Sequence, residues 1–197
     1  MLALLFEVTP KPGADQDYLE FAVRLRPALE KHDGFLFLER YRSLTRPQTI
    51  LSHSLWRDEA SLAAWRTFEP HHHAQVAGRE KIFFDYRLRI AHVLSARSPG
   101  KADWQSDRQL SYNDPAVHAP RYVTIALHFD PQTSGPKSET FESSATPGAF
   151  LTLYELADLE AAMSVTPALA TVRVCEVERD YGMHDRREAP QYYPPVR

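Results

Sequence analysis

Apolar positions in the first half of this chain switch between the two-residue period of a strand and the three-to-four-residue period of a helix. Met1 to Phe6 reads as a first strand, and Thr9-Pro10-Lys11-Pro12-Gly13 supplies turn chemistry. From Asp15 onward, Tyr18, Phe21, Ala22, Leu25, Ala28 and Leu29 fall on one helical face, with Pro27 expected to loosen that helix by removing a backbone donor. Gly34 stops it. Phe35 to Tyr41 follows as a second strand with aromatic residues at alternate positions. Thr45-Arg46-Pro47-Gln48 turns the chain into a third, Thr49 to Trp56, with Leu51, His53 and Leu55 on one face and Ile50, Ser52, Ser54 and Trp56 on the other. Asp58 is suited to cap a second helix through Ser61, Leu62 and Trp65, ending at Pro70. A short polar segment, His71 to Glu80, precedes a last strand, Ile82 to Val93, whose alternation sets Phe84, Tyr86, Leu88 and Ile90 against Asp85, Arg87 and Arg89. The order is βαββαβ.

Residues 95–120 turn polar and lose periodicity, as expected of a linker or arm that Trp104 and Tyr112 anchor. Beyond it the pattern returns in reduced form: strand Tyr122 to Phe129, strand Phe150 to Glu155, helix Asp158 to Val165 and strand Ala170 to Glu178. Even the turns correspond, Thr45-Arg46-Pro47 against Thr146-Pro147-Gly148, which suggests an internal repeat over residues 121–185 and a tail over 186–197. The segment Asp130 to Ala149 is about half as long as its counterpart Thr9 to Thr49, so the second unit has room for a short strand at Glu139 to Ser143 but not for the first helix as well.

A four-stranded sheet with helices on one face leaves its other face apolar, and that face must be buried against a second sheet. Composition narrows the partners further. Lysine and arginine total 23 against 26 acidic residues, so no basic excess points to nucleic acid. No apolar stretch approaches the length needed to span a bilayer, and the short apolar start lacks the basic flank of a signal peptide. A single cysteine, Cys175, fits a reducing, cytoplasmic setting and reads as a small apolar core residue.

The segments Gly34-Phe35-Leu36, Leu55 to Ala60, Ala64-Trp65, His71, Ala74-Gln75, Gly78-Arg79 and Phe84 to Arg87 together resemble the antibiotic biosynthesis monooxygenase family, within the dimeric α+β barrel superfamily. The spacing Trp-x5-His-x3-Gln-x2-Gly-Arg, ending in a Tyr-Arg strand, is the most specific part. The resemblance implies ferredoxin-like units paired into a barrel, here a tandem repeat with a truncated second unit, with a cleft between the first sheet and its helices. Val177 to Gly182 followed by Arg186 to Pro190 looks like the tail that closes such a unit, and its position implies that it closes the second. Haem degradation, the other activity of the superfamily, matches less well: the first strand has Phe6 and Glu7 rather than an asparagine, and Gln75 stands where a histidine is expected.

The resemblance further implies a cofactor-independent oxygenase acting on a planar aromatic or quinol-like small molecule. Trp65 would stack on the substrate or simply pack in the core. His71 would be the base, or else a surface histidine following Pro70. Tyr86 would orient the substrate or simply reach a backbone partner; His53, Trp56 and Phe84 are further substrate-binding candidates, His53 alternatively a buried imidazole in need of a partner. His71-His72-His73 does not form a metal site, because successive helical side chains point about 100° apart. The rival expectation is a non-catalytic ligand-binding or assembly protein, its cleft filled by Trp104, Tyr112 or Tyr192-Tyr193. The two units either pair within the chain as a pseudo-dimer, the favoured expectation and one compatible with further homodimerisation, or the first units pair between chains as a C2 dimer.

Overall fold

The computed structural model describes residues 1–107, 121–130 and 137–190. Four strands come from the first half: β1 (Leu2–Pro10), β2 (Phe35–Ser43), β3 (Ile50–Trp56) and β4 (Phe83–Arg97). They stand in the order β4-β1-β3-β2, every pair antiparallel. β5 (Trp104–Gln105) adds two residues alongside the end of β4, which runs on to Arg97. The second half contributes β6 (Tyr122–His128), β7 (Ser138–Ser143), β8 (Phe150–Leu156) and β9 (Thr171–Gly182), in the matching order β9-β6-β8-β7. β2 pairs with β7 and β4 with β9, so eight strands close into a barrel within one chain. Closure removes the edges that each half would otherwise expose.

The barrel interior follows from strand alternation. Ala3 and Leu5 of β1, Leu51 and Leu55 of β3, and Tyr41 of β2 meet Ile125, Phe141, Leu151, Leu153 and Cys175 from the second half in one apolar cluster. One mouth of the barrel is charged. Arg89, 1% exposed, joins Glu7 and Glu155, and Arg46 joins Glu7 and Glu139.

Three helices cover the outer face of the first sheet. α1 (Asp15–Glu30) lays down the expected stripe and accommodates Pro27 in its last turn. α2 (Glu59–Thr67) starts at Asp58, whose carboxylate accepts from the Ser61 amide at 2.8 Å. The short polar segment after Pro70 is a helix, α3 (Glu69–Ala77), continued by a π-helical turn over Gly78–Ile82. Pro70 lies in its first turn, where a missing amide proton costs nothing. In the second half a single short helix, α4 (Leu159–Ser164), packs on β6 among the described residues, and Asp158 caps it as Asp58 caps α2. No described helix is long and apolar enough to cross a membrane.

A candidate active site between the first sheet and its helices

The outer face of the first sheet is built from Leu4 and Phe6 of β1, Leu38 and Arg40 of β2, Ser52, Ser54 and Trp56 of β3, and Tyr86, Leu88 and Ile90 of β4. Opposite it, Tyr18, Phe21, Ala22, Leu25 and Leu29 of α1 form the roof, and Trp65, His71 and Gln75 come from α2 and α3. Between them lies a cavity of about 240 Å³. Its walls are mostly apolar, with a few polar groups placed among them, the usual composition of a small-molecule site.

At one end Trp56 and Trp65, both buried, stand 6.4 Å apart between ring centroids. His71 stacks on Trp65 at 4.6 Å with 20° between the planes. Its Nδ1 donates to the Trp65 carbonyl oxygen at 2.8 Å. That bond fixes the tautomer and leaves Nε2 as the lone-pair nitrogen. Burial pulls the His71 pKa down to about 4, so the ring is neutral at pH 7. Trp65 also stacks on Phe68 at 5.4 Å, and His32 approaches edge-on at 5.4 Å. Its ring therefore packs against partners within the protein and supports His71, while still lining the cavity.

At the other end are Tyr18, Tyr86 and Phe83, in a separate apolar cluster with Val8 and Ile50. Tyr18 and Ser52 share a hydrogen bond of 2.8 Å between hydroxyls. The Tyr86 hydroxyl accepts from Arg186 Nη1 at 2.6 Å, which leaves its own proton for another acceptor. Arg186 and Pro190 lie in the segment that follows β9, and both line this cavity. The tail thus closes the first unit's cleft, not the second's. The reason is β9, which pairs with β4 and delivers Met183 onto the Tyr86 carbonyl oxygen at 3.1 Å.

Two expected site residues fall elsewhere. His53 points into the barrel lumen, on the opposite face of β3 from the cavity, and is fully buried near Phe37. Phe84 is 68% exposed, and Phe83 takes the inward position. The cause is a bulge: Thr9 pairs with Asp85 but Pro10 with Phe83, so Phe84 is skipped and strict alternation fails there. A similar irregularity between Phe35 and Phe37 turns those two rings to opposite faces of β2 and exposes Leu36. Of the expected catalytic set, His71 and Trp65 stand together, while Tyr86 occupies the far end of the same cavity. Trp56 lines it, as expected. Sequence reasoning missed Arg40, Tyr18, Ser52 and Arg186 as site residues. Alternation from Leu38 on β2 would have placed Arg40 on the helix-covered face, whereas nothing in the sequence brings Arg186 to Tyr86. Trp104 is 42% exposed on β5 and does not line the cavity; Tyr112, Tyr192 and Tyr193 lie outside the described residues.

The antibiotic biosynthesis monooxygenase family model matches residues 1–77. A protein of Pyricularia oryzae named jasmonate monooxygenase ABM is 36% identical over 218 residues, covering 100% of both chains. Among solved structures, an anthrone oxidase-like protein is 13% identical with a TM-score of 0.44, covering 96% of each chain. A Shewanella oneidensis protein is 12% identical with a TM-score of 0.43, covering 45% of this chain and 86% of its own. By full-length identity to the Pyricularia oryzae relative, this chain belongs to the antibiotic biosynthesis monooxygenase family.

Proposed function

We propose that this chain is a cofactor-independent monooxygenase whose chemistry takes place at the His71 end of the cavity. The observation that carries the reading is His71 itself: neutral, with its tautomer fixed by the Trp65 carbonyl, and with Nε2 left as a base beside an apolar cavity. Without an outside reductant, the reaction that balances is oxidation of an activated methylene, or of the equivalent ring carbon of a phenol, by one molecule of dioxygen. The substrate loses two hydrogens and gains a carbonyl oxygen, and the second oxygen atom leaves as water. Nε2 of His71 removes the first proton, and the resulting carbanion or phenolate reacts with dioxygen. An imidazole with a pKa near 4 is a weak base, so the substrate proton must be acidified by an adjacent carbonyl or aromatic ring. The substrate anion then forms against imidazolium, which raises the pKa of His71 in the complex.

Two substrate classes fit this chemistry or these comparisons. One is a planar aromatic or quinol-like molecule; the other is jasmonate, for which the 36% identical relative is named. The open cavity beside Trp65 supports a catalytic role over the alternative of a purely structural or assembly barrel. The internal barrel supports the chain acting as its own pseudo-dimer.

The test is dioxygen consumption, with mass spectrometry of products formed under isotopically labelled oxygen, on a panel of anthrones, quinols and jasmonate. The expected result is one labelled oxygen in a product, and at least about a hundredfold loss of rate in His71→Ala with substrate binding retained. Undiminished turnover in His71→Ala would overturn the assignment of the base.

A further inference from the structure

The cavity is lined by four arginines, Arg40, Arg66, Arg79 and Arg186, and by no aspartate or glutamate. Several arginines elsewhere in the chain are held by carboxylates: Arg46 by Glu7 and Glu139, Arg57 by Asp33, Arg89 by Glu7 and Glu155. Arg40 is different. Among the described residues no carboxylate lies within ion-pairing range of it, its Nε is sealed from solvent without a hydrogen-bond partner, and its guanidinium lies over the Tyr18 ring, 5.9 Å from the centroid. A half-buried guanidinium that lines an apolar cavity, with one sealed and unbonded nitrogen and no carboxylate beside it, offers a seat to an anion.

The position of Arg40 gives the ligand a direction. Arg40 and Phe6 both stand opposite Ser52 in the strand register, whereas Trp56, beside Trp65, lies four residues further along β3. At the usual rise that is about 13 Å. Arg186, joined to Tyr86, lies at the Arg40 end. Arg40 therefore stands toward one end of the cavity and, across the apolar row of Leu38, Leu4 and Ile90, the neutral base His71 stands toward the other.

We infer that the ligand is an amphipathic carboxylate, its carboxylate seated on Arg40 and its apolar body running along β3 to place the reacting carbon beside His71. A planar guanidinium matches a carboxylate with two parallel hydrogen bonds. The inference rests on the oxygenase reading only for what happens at His71; the seat for the anion stands without it.

The experiment is a calorimetric or tryptophan-fluorescence titration with 6-phenylhexanoate and with its methyl ester, which needs no turnover. The wild-type protein binds the acid about tenfold or more tighter than the ester, and the preference narrows as salt is raised. Arg40→Met abolishes the preference; Arg40→Lys retains part of it. Equal affinity for acid and ester in the wild type, a measurement independent of any variant, would overturn the inference. So would a full acid preference surviving in Arg40→Met. His71→Ala keeps the acid preference, so loss of oxygen consumption in that variant with binding intact separates the oxygenase reading from this one. Turnover of neutral substrates with no acid preference would leave the oxygenase and remove the carboxylate seat.

Discussion

Replacing His53 with leucine should protect this protein against mild acid. The imidazole is completely buried in the barrel lumen, its Nε2 has no partner, and its Nδ1 reaches the Leu4 carbonyl oxygen only at 3.4 Å. Burial, reinforced by the charge of Arg173, holds the pKa at about 3. In the unfolded chain the same group titrates near 6.5. Between those values the unfolded chain takes up a proton that the folded one refuses. This contribution is therefore unperturbed above pH 6.5, and stability is lost as the pH falls toward 3. At pH 5 proton uptake favours the unfolded state by RT ln(1 + 10^1.5), about 2 kcal/mol, against about 0.2 kcal/mol at pH 7. The result barely depends on the folded-state value so long as it stays below about 4. Leucine has similar bulk and sits between Leu51 and Leu55 on the same face of β3. Urea unfolding followed by tryptophan fluorescence at pH 7 and pH 5 should show His53→Leu losing about 2 kcal/mol less than the wild type between the two. His71 and the carboxylates titrate in both proteins and cancel in the comparison. An equal loss in the two proteins would refute the argument that His53 is held neutral by burial.

Gly34→Ala should destabilise the fold by about 2 kcal/mol or more in urea unfolding, because Gly34 has φ of +81° and an added Cβ would stand 2.1 Å from Ser61 Oγ. Gly13→Ala, with the same φ but nothing near the added atom, is the control and should cost only about 1 kcal/mol. Arg89→Met should cost about 3 kcal/mol, since it leaves the buried Glu7 with Arg46 alone. Adding Glu7→Gln should restore part of that loss in the same measurement, and a double variant no more stable than Arg89→Met would argue against a penalty from the stranded carboxylate.

How much was legible in advance depends on whether the deciding interaction was local. The α1 stripe from Tyr18 to Leu29 was readable because a helix repeats its face within one turn, and it became the cavity roof. Asp58 was readable as a cap because its partner, Ser61, is three residues away. The inward face of β4 was misread at Phe83 and Phe84 because the bulge arises from pairing with Pro10, more than seventy residues distant. His53 was wrongly grouped with the cavity, although alternation had already set it on the face opposite Trp56; only the barrel shows that both faces of β3 are buried.

By itself, the sequence determined the βαββαβ order, the shortened second half and the Trp65 to Arg79 spacing that places His71 beside the tryptophan. These are properties of periodicity and short-range spacing, which survive without knowledge of neighbours. Tertiary structure alone decided which edges join the two halves, β2 to β7 and β4 to β9, and that the chain after β9 carries Arg186 across to Tyr86. It also decided that Arg40 faces an apolar cavity with no acid to meet it. Each of these depends on contacts between segments far apart in the chain, set by which sheet edges pair and which faces remain to be covered.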